Sequence, residues 1–161
     1  MKILSSVLCL AALGAVAGSS QAAGVVEVNF VDAAHYSDAG FGASQIELTT
    51  RALGAHLQKL GARLPDGQTL HVDVLDVDLA GNVKHGAHRD LRVMRGGADW
   101  PQIRLRYTLT ADGKTLKTGT DRLTDLNYQD GMTPPANDPY VYEERLLTRW
   151  FKTTFDLASA Q

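Results

Sequence analysis

The stretch Thr69–Gly81, TLHVDVLDVDLAG, constrains the fold more than any other part of the chain. It is the longest β-prone run, and three carboxylates interrupt it, Asp73, Asp76 and Asp78. On an extended strand Leu70, Val72 and Val74 share one face, whereas Leu75, Val77 and Leu79 share the other. The apolar phase therefore changes between residues 74 and 75. Either a β-bulge lies there or the strand is covered on both sides. On a regular strand Asp73 points away from Asp76, and only a bulge brings all three acids together.

The N-terminus reads as an export signal: one cation, Lys2, then an apolar run from Ile3 to Ala17, then a small and polar segment, GSSQAA. Ser20 and Ala22 stand three and one positions before a cut placed after Ala22. Residues 1–22 are thus expected to be a signal peptide, residues 23–161 a single globular domain, and the periplasm its destination. A membrane anchor would need about 20 apolar residues and a stop-transfer flank, and the run has neither. Cys9, the one cysteine, lies inside the signal behind Leu8 rather than a small residue, which argues against lipid anchoring. The exported chain then has no disulfide, no cysteine nucleophile and no thiolate metal site. Its net charge moves from −2 to −3 on loss of Lys2, too mild and mixed for a nucleic-acid or membrane partner.

The alternation of Val26, Val28 and Phe30 with Glu27 and Asn29 predicts a first strand over Gly24–Val31. A helix follows over Ser44–Leu60. Ser44 and Glu47 match a capping box, Ile46, Thr49, Leu53, Leu57 and Leu60 form its apolar face, and Gly61 is placed to end it in the left-handed conformation. Leu64-Pro65-Asp66-Gly67 is a turn into the long strand. Asn82–Ala98 is the least regular part, with a short strand expected at Leu91–Met94. Ile103, Leu105, Tyr107 and Leu109 alternate with Arg104, Arg106 and Thr108 in the clearest strand, and Asp112-Gly113 then signals a type I′ hairpin. An unbroken hairpin places Leu109 opposite Leu116 and Arg104 opposite Asp121. Past the turn-rich loop Asp125–Asp138, Asn137 or Asp138 caps a second helix from Pro139 to about Leu157. Tyr140, Leu147, Trp150, Phe151 and Phe155 make its core stripe.

The order β-α-β-β-β-β-α, with a strand–helix–strand crossover and two amphipathic helices, predicts an α+β two-layer sandwich. Its mixed sheet has about four to five strands, with both helices on one face.

No complete catalytic set is present, and no motif implies a cofactor. Asp76 and Asp78, about 7 Å apart on one strand face, could grip Ca²⁺ or Mg²⁺. A calcium loop starting at Asp76 fails at Ala80 and Ala87, and the plainer reading is two solvated acids that blunt the strand end. His85 and His88, with Asp90, have a ligand-like spacing but lack a further fixed ligand for zinc. His35 and Tyr36 are loop residues, and His56 is a packing residue on the first helix. Arg104 and Arg106 with Lys117 form a basic strip on the open sheet face, as solvated arginines often do. Gly113-Lys114-Thr115 lacks the earlier glycine of a phosphate loop, and Gly42-Ala43-Ser44 lacks the closing glycine of a nucleophile elbow.

The runs LPDGQTLHVDVLDVDLAG (64–81), DLRV (90–93), DWPQIRL (99–105) and YEERLLTRWF (142–151) together resemble the bacterial family catalogued as domain of unknown function 3016. The resemblance implies an exported protein of Gram-negative bacteria and brings no activity. The leading expectation is a non-enzymatic periplasmic module that binds a protein partner or small ligand, with Asp76, Asp78, Arg92, Arg104 and Arg106 as candidate binding residues. The alternative is a metal-assisted hydrolase using Asp76 and Asp78 with His85 and His88.

Overall fold

The computed structural model describes residues 23–84, 86, 91–130 and 138–155. Strand β1 (Val25–Phe30) leads through helix α1 (Gly42–Leu60) to β2 (Gln68–Asp78). Two short strands, β3 (Asn82–Lys84) and β4 (Leu91–Val93), precede β5 (Gln102–Ala111), β6 (Lys114–Thr124) and helix α2 (Val141–Phe155). The main sheet has the order β1-β2-β5-β6, with β1 parallel to β2 and the other pairs antiparallel. β3 and β4 form a separate antiparallel pair. The expected α+β architecture holds, and the irregular stretch after β2 contributes two short strands rather than one.

Both helices lie on one face of the main sheet. Leu53 and Leu57 of α1 and Leu147 and Phe151 of α2 join Val72, Val74, Ile103 and Leu105 in one core. Leu57, Leu70 and Leu105 are wholly buried, each contributing about 2 kcal/mol. The aromatic stripe of α2 packs edge-on: Trp150 and Phe155 lie 5.5 and 5.3 Å from the Tyr107 ring. That ring occupies the space above Gly119, where a Cβ would come within 2.6 Å of the Tyr107 hydroxyl.

A bulge resolves the phase change in β2. Val74 pairs with Leu105 and Asp76 with Arg104, so Leu75 is the extra residue. Val77 thereby returns to the core face with Leu70, Val72 and Val74, and Asp73, Asp76 and Asp78 share the helix-free face. The Val74 carbonyl at the bulge accepts both the Val31 N–H at 2.9 Å and the Tyr36 hydroxyl at 2.7 Å. Tyr36 is thus tied to β2, and burial, with Asp76 nearby, raises its phenol pKa. His35 likewise pairs with Asp32 at 2.8 Å.

The β5–β6 turn has positive φ at both Asp112 and Gly113, as a type I′ turn requires. Its register corrects the expected pairs. A second bulge follows the first two rungs, so Leu109 faces Lys117 instead of Leu116, and Arg104 faces Arg122 instead of Asp121. The reason lies at the far end of β6. An unbroken ladder would turn Arg122 toward the helices and Leu123 outward, whereas the extra residue buries Leu123 in the core. Asp121 then faces the helices and accepts the Trp150 indole N–H at 2.9 Å.

Two helix ends also differ from expectation. α1 begins at Gly42, so Ser44 lies inside its first turn and caps nothing. The Phe41 N–H is met by Gln45 Oε1 at 2.8 Å, and Glu47 pairs with Arg51. Gly61 is right-handed (φ −55°) and leads into a 3₁₀ turn; it is small because Val26 and Gly24 crowd within 3.3 Å of where its Cβ would stand. Asp138 Oδ1 accepts the Tyr140 N–H at 3.0 Å before α2, while Asn137 and Leu157 lie outside the described residues.

Candidate functional site

The helix-free face of the sheet is a ladder of charged rungs set by the two bulges. In the first rung Asn29, Asp73 and Arg106 are adjacent on β1, β2 and β5. Asp73 accepts from Asn29 at 2.9 Å and from Arg106 at 2.7 Å, and these bonds, Arg106 first, hold its carboxyl below the usual range. Both oxygens of Asp73 are thus engaged. The second rung runs Asp76, Arg104, Arg122, and the third Asp78, Gln102, Thr124.

Asp76 is closed by the loop after β1. Asp38 donates its N–H to Val77 O and accepts the Leu79 N–H, so this loop rejoins the edge of β2 beyond the bulge. Ser37 is thereby laid over Asp76, whose two oxygens accept the Ser37 N–H and hydroxyl, each at 2.8 Å. A metal ion would have to share the carboxylate with both donors. Arg122 is held by Gln102 Oε1, at 2.6 Å from Nη2 and 3.2 Å from Nε. Among the described residues Asp78 receives only a 3.4 Å contact from Gln102 Nε2, and burial, with Asp38 and Asp76 nearby, raises its pKa. Arg104 is exposed and has no hydrogen-bond or ion-pair partner among the described residues. Ser37, Asp76, Asp78, Gln102, Arg104 and Arg122 line one concavity of about 180 Å³.

The candidate residues from sequence therefore separate. Asp76, Asp78 and Arg104 meet in the basin, with Arg106 one rung away in its pair with Asp73. Lys117 leaves the basic strip, because the second bulge turns it toward the helices, where Nζ donates to Thr154 O at 2.8 Å. Arg92 lies off this face. From β4 its guanidinium grips Asp38 at 2.9 Å and reaches the carbonyls of Leu79, Ala80 and Gly81, clasping the β3–β4 pair to the end of β2. His85 and His88 lie outside the described residues, and among those described no group of three His, Cys, Asp or Glu converges on a metal position. His56 sits between the helices, bonded to Thr148 at 2.8 Å and Glu144 at 3.2 Å.

Sequence reasoning missed Ser37, Gln102 and Arg122. Gln102 and Arg122 carried a usable signal, since both belong to strands that alternate with core residues. Ser37 carried none, because only the path of its loop brings it to β2.

Fold and face together define a two-layer α+β domain with one side of its sheet left open and charged. A family profile matches residues 24–153, and the chain belongs to that family, described as Protein of unknown function (DUF3016). No curated protein and no solved structure gives a significant match. No described helix is long and apolar enough to cross a membrane.

Proposed function

We propose that this protein is an exported, non-enzymatic binding module of the bacterial periplasm that engages a protein partner or small ligand through the helix-free sheet face. One observation carries the reading: both helices cover the same side, and the opposite side presents a preformed charged ladder in which Arg104, without a partner among the described residues, stands next to Arg122. Like charges directly opposite on neighbouring strands are unfavourable, and a bound anionic group relieves them. Binding is favoured over metal-assisted hydrolysis because both Asp76 oxygens are already committed to Ser37. Export rests on the leader at residues 1–22, and the family match begins just past it, at residue 24.

Two measurements test the reading. Mass spectrometry of the protein from the periplasmic fraction should find Ala23 at its N-terminus; an intact leader in a cytoplasmic pool would remove export. Pull-down from periplasmic extract, with Arg104→Gln and Arg106→Gln as controls, should yield a partner or ligand that the variants lose. A plain monomer that retains nothing leaves the binding reading without support.

A further inference from the structure

Asp78 and Arg104 line the same basin with opposite charges, yet no ion pair forms between them. The groups around them are engaged: Asp76 by Ser37, and Arg122 by Gln102. Among the described residues Arg104 has no partner, and Asp78 has one long contact on Oδ2 and none on Oδ1. Two complementary open valences thus face one small space, held apart by sheet geometry.

The geometry points to a binding site for a small dipolar ligand of the amino-acid type, its carboxylate on Arg104 beside Arg122 and its ammonium on Asp78. This rests on the sheet face being a binding surface and names what that surface takes. A guanidinium fork matches a carboxylate in shape and charge. Burial raises the Asp78 pKa, and the carboxylates of Asp38 and Asp76 raise it further; it is this negative field that favours an added positive charge. The basin balances two acids against two arginines, so a purely anionic or purely cationic ligand leaves one of the two open groups unmet. Its volume of about 180 Å³ leaves room for a ligand the size of alanine.

Isothermal titration of the full exported chain with alanine, propionate, ethylamine and inorganic phosphate tests this. Alanine should bind with a Kd of about 1 mM or tighter, and propionate and ethylamine at least about 10-fold more weakly. Arg104→Gln and Asp78→Asn should each weaken alanine about 10-fold or more, with Arg104→Lys between Arg104→Gln and the parent. Unchanged thermal melts of Arg104→Gln, a substitution at an exposed side chain, would show that the loss is local. No alanine binding at about 10 mM, equal binding by Arg104→Gln and the parent, or phosphate binding more tightly than alanine would overturn the inference. If alanine fails but a periplasmic protein is captured through Arg104, the dipolar ligand falls and the binding module stands. Failure of both removes both.

Discussion

Glu143 is the residue least at ease in this molecule. It shares the inner face of α2 with Leu147 and Trp150 and is 1% exposed. Its Oε1 accepts the Ala80 N–H at 2.7 Å, while Oε2 has no partner among the described residues. Burial raises its pKa, more than the Ala80 N–H and the nearby Arg92 lower it. Because the folded value lies above the ordinary 4.5, the stabilising contribution of the protonated group is complete below about pH 4.5 and is lost as pH rises through the folded value. Glu143→Gln keeps an acceptor for Ala80 and abolishes the charge. It should therefore melt higher than the parent at about pH 8, with the difference shrinking toward about pH 4. Glu143→Ala strands the Ala80 N–H and opens a cavity, and should cost about 2–4 kcal/mol in urea unfolding. A stripe read from apolar residues alone passes over Glu143, although it stands seven residues before Trp150 and so on the same helical face. A charge inside an apolar period was the available signal.

At the scale of elements, what was legible was local. The alternation of β1, the apolar face of α1, the phase change in β2 and the Asp112-Gly113 turn each depend on neighbours in sequence. The register of β6 was not, because its bulge exists to bring Leu123 under α2, a demand made by the other layer. β3 escaped for a different reason: at three residues it has no period to read, and its place is set by the Arg92 clasp. Arg92→Gln breaks the ion pair with Asp38 and weakens the reach to three carbonyls. A cost of about 2 kcal/mol is expected, allowing for partial exposure of both partners. Hydrogen exchange is the sharper check: amides of Asn82–Lys84 should lose protection before those of β2 and β5. Uniform loss across the main sheet would mean that the clasp serves the whole core.

For the whole molecule, the site was half legible. Asp76, Asp78 and Arg104 stand out in sequence as charges on β-prone runs, but their company does not, since the basin draws Ser37 from a loop, Gln102 from the start of β5 and Arg122 from β6. What aligns them is a count of residues. Leu75 is the supernumerary residue of β2: because the bulge absorbs it, every side chain before and after keeps its proper side of the sheet. A ladder that paired Leu75 with Arg104 would be the structural equivalent of a frameshift, sending Asp76 and Asp78 toward the helices and Val77 into water. Deleting Leu75 removes the bulge without turning any side chain to the other face, so such a chain should keep a cooperative melt, checked by thermal unfolding. Lengthening the Asp112-Gly113 tip by one residue disturbs no frame and should leave the melt nearly intact. Which residue each strand leaves out of its ladder is therefore as strict a determinant of the open face as any side chain on it.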